Sequence, residues 1–135
     1  MRFSYIIVAK VMKNFSTRVG KLDNIHFNKG FYLYVGSAFY ENGFSRILRH
    51  ISKKKKKHWH IDYFLSSRKV KIVYIEIFPE RRIECILASM IERFSDNSVK
   101  NFGCNDCFCK SHMFFFKNKN KVEDILRKIM IKILV

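Results

Sequence analysis

Ten residues from Lys69 to Phe78, KVKIVYIEIF, place β-branched or aromatic side chains at most positions and hold no Gly or Pro. Such a run packs well on a pleated surface and is a poor helix, so it constrains the chain more than any other segment. Its alternation puts Val70, Ile72, Tyr74 and Glu76 on one face of a strand. A strand of that length needs neighbours, and two segments can supply them. Tyr5 to Met12, YIIVAKVM, is rich in Ile and Val, and Phe31 to Val35 alternates Phe31, Leu33 and Val35 against Tyr32 and Tyr34. These two can pair antiparallel through the loop between them.

Helical periodicity fills the remainder. Phe44, Ile47, Leu48 and Ile51 recur at i, i+3, i+4 and i+7, the stripe of a buried helix face, with Arg46, Arg49 and His50 off it. Pro79 suits the first position of a second helix, with Glu80 near its start and Glu84 one turn on. Ile83, Ile86, Leu87, Met90, Ile91 and Phe94 form its apolar stripe. Asn120 followed by Glu123 caps a last helix packed through Val122, Ile125, Leu126, Ile129 and Leu134. The expectation is one α+β domain over residues 1–135: a small, mixed or antiparallel three-stranded central sheet flanked by helices, ending in a C-terminal helix.

The charge limits the partner. Twenty-seven basic residues against eleven acidic give +16 on 135 residues, which points to a polyanion such as nucleic acid or an acidic membrane surface. No apolar run is long enough for a membrane span, and the N-terminal MRFSYIIVAKVMKNF reads as a strand instead of a leader. Four cysteines without an export signal fit a reducing, cytoplasmic setting, where thiols or metal ligands outnumber disulfides. The run Lys53, Lys54, Lys55, Lys56 and Lys57 follows the first helix, either as a cationic C-terminal cap or as a phosphate-binding patch beside Arg49 and His50.

Chemistry enters with side chains that complement a phosphodiester. Arg46 offers planar donors for a phosphate and its developing charge. Glu84 can hold a hard divalent ion that keeps several waters and activates one. Tyrosine hydroxyls can position or deprotonate that water. In an extended HWHIDYF, His58, His60 and Asp62 would share one face, a metal or phosphate site, with Trp59 and Ile61 anchoring the segment. CNDCFCKSH brings together Cys104, Cys107, Cys109 and His112, a set with zinc-like spacing in which Cys85 could replace one member. Reduced, buried cysteines are the alternative, and His112 could instead reach the cleft.

YVGSA followed by a helix with SRILRH resembles the second half of the GIY-YIG nuclease signature. GFYLYVGSA, RILRH, KHWHIDYF, RRIECILA and FGCNDCFCKSH together resemble a small stand-alone archaeal and bacterial branch of that superfamily with no assigned function, the DUF123-like proteins. The resemblance matches Tyr34 and Gly36 to the second motif, Tyr5 to the first, Arg46 to the helix arginine and Glu84 to the metal-binding glutamate. GFY at Gly30 to Tyr32 only mimics the first motif, leaving Tyr32 as sheet cover or cleft wall beside Gly36 and Ser37. Phe3 stands where the superfamily has glycine, and its closing asparagine has no evident match. The resemblance implies a Mg2+- or Mn2+-dependent endonuclease on nucleic acid, DNA favoured. The alternative is a non-catalytic binding module with the same basic cleft.

Overall fold

The computed structural model describes residues 1–104 and 109–134. It begins with a long hairpin. β1 (Phe3–Val11) pairs antiparallel with β4 (Gly30–Ala38), from Phe3 opposite Ala38 to Val11 opposite Gly30. Beyond the end of that pairing, β2 (Phe15–Arg18) and β3 (Asn24–Phe27) form a separate two-stranded ribbon, joined by a single 3-10 turn at Gly20–Leu22. β5 (Val70–Pro79) adds to the free side of β1. β7 (Met113–Phe116) adds to β4, and the two-residue β6 (Asn97–Ser98) to β7. The sheet therefore has five strands in the order β5-β1-β4-β7-β6, every pair antiparallel.

The α+β class holds, but three strands become five. β7 reads MFFF and is buried at every position, so it carries none of the alternation that marks a half-exposed strand. β6 is too short to leave a pattern.

Alternate residues of β1 feed two cores. Tyr5, Ile7 and Ala9 pack with Ile47 of α1 (Phe44–Ile51) and with Ile61, Phe64 and Leu65 of α2 (His60–Leu65). Ile6 and Val8 pack with Leu33 and Val35, with Leu87 and Ile91 of α3 (Glu84–Phe94), and with Val122, Ile125 and Ile129 of α4 (Lys119–Leu134). No helix among the described residues is long and apolar enough to cross a membrane.

Several local expectations shift. A bulge at the pairing of Val8 and Ala9 resets β5, so Val70 and Ile72 share the first core with Ile75 and Ile77, while Tyr74 turns its hydroxyl to Glu76, 2.5 Å away. The proposed common face of Val70, Ile72, Tyr74 and Glu76 is broken there. α1 is rotated from its apolar stripe: Ile47 and His50 are buried, whereas Leu48 is 68% and Ile51 54% exposed. Pro79 closes β5 instead of opening a helix, and Glu80 takes a left-handed φ of 56°. Ile86, expected in the buried stripe of α3, is exposed. The cap of α4 is Asn118, whose Oδ1 accepts the Lys121 N–H at 3.0 Å, not Asn120.

Candidate active site

A cleft of about 760 Å³ opens beside the first core, at the end of β1 and β4 where α1 begins. Tyr5, Tyr34, Arg46, His50 and Glu84 all line it. They come from four elements, and each is held there by identifiable local chemistry.

Tyr5 is 1% exposed, and its hydroxyl lies 2.7 Å from His50 Nε2. The ring crosses directly over Gly36, its partner across the β1–β4 ladder. A Cβ on Gly36 would sit 2.5 Å from Tyr5 Cζ and 2.6 Å from its hydroxyl, so only glycine admits this ring position. Burial raises the Tyr5 hydroxyl well above its usual pKa, and neighbouring Tyr34 adds to the rise, with Arg46 opposing it. Tyr34 lies 6.4 Å from Tyr5 between ring centres, and burial pushes its hydroxyl up to about 12 against the same Arg46. His50 moves the other way. Burial, followed by the positive charge of Lys55, lowers it to about 4, so the imidazole beside Tyr5 is neutral at neutral pH.

Arg46 is clamped from three sides. Its Nη1 donates to the Ser37 carbonyl, and its guanidinium stacks 4.5 Å from the centre of Trp59 and 5.1 Å from that of Tyr40. Its Nε is buried with no hydrogen-bond partner among the described residues. Trp59 also carries Arg49 on its ring at 4.9 Å. Arg49 pairs with the fully buried Asp62 at 2.7 Å and donates to the Lys56 carbonyl at 2.6 Å. Asp62 Oδ2 accepts the backbone N–H groups of His58 and Trp59, both at 2.8 Å, and so caps α2. Burial alone would raise the Asp62 carboxyl, but those amides and Arg49 outweigh it and hold the pKa low.

Glu84 is the first residue of α3, where a carboxylate complements the helix dipole. Buried Ser4 sets that helix start. Its hydroxyl accepts the Ile83 N–H at 3.0 Å and lies 2.6 Å from the Arg81 carbonyl and 3.2 Å from Glu84 Oε2. One carboxylate facing an open cleft is a donor set that suits a hard ion retaining most of its waters, so Glu84 fits Mg2+ or Mn2+.

HWHIDYF is not extended, because α2 starts at His60. His58, His60 and Asp62 therefore do not form one row, and Asp62 belongs to the Arg49 pair. His58 and His60 do reach the cleft. His60 Nδ1 accepts the Gly103 N–H at 2.9 Å, and burial lowers its pKa. Ser37 and His112 also line the cleft. Tyr32 does not: it is core, packed on Phe27, Phe64 and Phe115, with its hydroxyl accepting the Asn28 N–H at 2.9 Å.

The lysine run divides. Lys53 Nζ donates to the carbonyls of Leu65, Ser67 and Val70, and Lys55 Nζ to that of His50. Lys54, Lys56 and Lys57 are exposed, and none of the five lines the cleft. Of the cysteine loop, Cys104 lines the cleft, Cys109 is not among its lining residues, and Cys107 falls outside the described residues.

Several cleft residues escaped the sequence reading, Asn101 and Trp59 among them. Asn101 adopts a left-handed φ of 63°, which asparagine tolerates, and lines the cleft two residues before Gly103 at φ 71°. Only the turn chemistry of NFG hinted at it. Trp59, expected as a core anchor, packs against the first core and is also the platform for two guanidinium groups.

Fold and site together define a small α+β protein with a tyrosine–arginine–glutamate cleft at one end of an antiparallel sheet. The chain belongs to the family described as Domain of unknown function DUF123, whose model matches residues 4–134. No curated protein and no solved structure matches it.

Proposed function

We propose that this cleft hydrolyses phosphodiester bonds in nucleic acid, DNA in preference, as a divalent-metal-dependent endonuclease of the GIY-YIG type. One observation carries the reading: Tyr5, Tyr34, Arg46, His50 and Glu84, spread over eighty residues of chain, line one cleft. A net charge of +16 favours the polyanion.

Arg46 binds the scissile phosphate. Its stack on Trp59 and Tyr40 fixes the guanidinium plane before substrate arrives, which is how preorganised charge lowers a barrier. Tyr34 and Tyr5 orient the attacking water as neutral phenols, because burial opposes phenolate. As the water oxygen bonds to phosphorus, the opposite P–O bond breaks and the leaving oxygen takes a proton. The proton lost by water passes toward the Tyr5–His50 pair, whose 2.7 Å contact provides the path. A phosphodiester beside His50 adds negative charge and raises its proton affinity when it is needed. A divalent ion on Glu84 would supply positive charge at the leaving oxygen. Asn101 brings a carboxamide to the same cleft.

The test is nicking of supercoiled plasmid and branched DNA with Mg2+ or Mn2+, by the wild type and by Arg46→Ala and Glu84→Gln. Metal-dependent nicking lost in both variants is the expected result. Nicking that persists in both variants overturns these roles. Salt-sensitive binding without cleavage in any divalent ion would make the domain a binding module.

A further inference from the structure

Three metal-ligating side chains from different parts of the chain converge next to the cleft. Cys85 belongs to the first turn of α3, Cys109 follows the cysteine-rich loop, and His112 immediately precedes β7. Their ligand atoms all lie within 4.8 Å of one another. We propose that Cys85, Cys109 and His112 form a binding site for a zinc-class divalent ion, through two thiolates and one imidazole, with a fourth position open to water.

The spacing is close to what such an ion needs. With Zn–S near 2.3 Å and Zn–N near 2.0 Å, ligand atoms of a tetrahedral centre stand about 3.4–3.8 Å apart, so modest side-chain rotation closes the site. His112 is already oriented for the task. It is 6% exposed, and its Nδ1 lies 3.1 Å from the Val35 carbonyl. Donation of Nδ1–H to that carbonyl places the imidazole lone pair on Nε2, the arrangement in which histidine ligates metals. Cys85 is the second residue of α3. It is also exposed, so packing gives no reason for a cysteine there.

This set differs from the one that spacing suggested. Within the sequence the four ligands were confined to nine residues, which demands a tight loop. The structure brings in Cys85 from a distant helix and leaves Cys104 aside, its Sγ donating to the Phe102 carbonyl at 3.4 Å. The ion would join α3, which bears Glu84, to the segment anchored on β4. His112 makes that anchor twice, its carbonyl accepting the Val35 N–H at 2.9 Å and its Nδ1 lying 3.1 Å from the Val35 carbonyl, while its own N–H donates to the Phe102 carbonyl at 2.9 Å. The site is a staple beside the cleft, distinct from the Glu84 position and independent of the nuclease reading.

The full chain, stripped with chelator under reductant, is titrated with Co2+ and then Zn2+. One equivalent of Co2+ is expected to give thiolate-to-cobalt charge transfer and tetrahedral ligand-field absorption, both abolished by one equivalent of Zn2+. Cys85→Ser and Cys109→Ser should each weaken binding at least about tenfold and reduce the charge-transfer intensity, while Cys104→Ser binds as the wild type does. Absence of thiolate absorption in the wild type overturns the proposal and needs no variant to fold. Binding untouched by Cys85→Ser, or lost equally in Cys104→Ser, overturns this ligand set. Isolation of a stable Cys85–Cys109 disulfide with no metal does so as well.

Discussion

The two faces of the sheet are built from the same strands and differ in kind. On the α3–α4 face, Ile6, Val8, Leu33, Val35, Phe114 and Phe116 meet Leu87, Ile91, Ile125 and Ile129, hydrocarbon against hydrocarbon. On the α1–α2 face the same alternation delivers Tyr5 and Tyr34 toward His50, Asp62 and two arginines. Among the described residues, the buried side-chain atoms with no hydrogen-bond partner are Arg46 Nε, Arg49 Nε, His50 Nδ1, Asp62 Oδ1 and Ser66 Oγ. Every one belongs to α1, α2 or the residue after α2. Unpartnered buried polar atoms cost stability, so this face gives up free energy that the other supplies. Such a division is expected where one layer holds a site and the other holds the fold together.

Cross-face substitution should separate the two roles most sharply. Arg46→Ala is expected to lower nicking by about 100- to 1,000-fold while the thermal midpoint moves little. Leu33→Ala, fully buried on the other face, should cost about 2–5 kcal/mol in denaturant unfolding with activity per folded molecule retained. A Leu33→Ala protein that is stable but inactive would break the comparison.

Acid should find the polar face first. His50 has a folded pKa of about 4 against an ordinary 6.5, so between those values the unfolded chain binds a proton that the folded chain refuses. Stability is then full above about pH 6.5 and falls on acidification toward pH 4, by on the order of 3 kcal/mol. Lys55, Arg46 and Arg49 act on His50 with burial, Asp62 opposes them, and His60 titrates in the same direction. Unfolding by denaturant across that window checks it: His50→Gln should flatten the slope, leaving the smaller share of His60. An unchanged slope would show that burial does not control this imidazole.

A single added methyl group probes the seam between the faces. Gly36→Ala places Cβ on the Tyr5 ring, with backbone on one side and the buried ring on the other. Overpacking of this kind costs about 1–3 kcal/mol. Because the displaced ring is Tyr5, nicking should fall more than the lost stability explains. Equal losses would mean that the position of Tyr5 is only structural.

What could be read from the chain follows the same division. β1 announces itself as an Ile- and Val-rich run, and β4 and β5 by their alternation, so local pattern suffices for them. β7 was hidden by burial on both sides, and the outward turn of α1 by His50, a polar residue occupying a core position. At the site, Tyr34, Arg46 and Glu84 were legible as chemistry on predictable elements. The Asp62–Arg49 pair, the Trp59 platform and Asn101 were not, since each depends on contacts between segments or on a left-handed turn. Cys85 was legible only as a replacement for one member of the cysteine loop, and it took the fold to bring its ligand atom within 4.8 Å of those of Cys109 and His112.

The smallest effects concern the lysine run, and they resolve its two readings residue by residue. Lys53 Nζ reaches the carbonyls of Leu65, Ser67 and Val70 at 2.8, 2.9 and 2.6 Å, closing the end of α2 and the entry to β5. Partial exposure weakens these bonds, so Lys53→Ala should cost about 1 kcal/mol in unfolding and leave the salt dependence of DNA binding unchanged. Lys54 is exposed, and its side chain is available to a phosphate. Lys54→Ala should leave the unfolding midpoint where it is and reduce the slope of log affinity against log salt by about 0.9, the share of one neutralised phosphate. If Lys53→Ala changes the salt slope and Lys54→Ala does not, the run meets nucleic acid through the residue whose amine the fold already uses, and the separation between holding the chain and holding the ligand fails at that point.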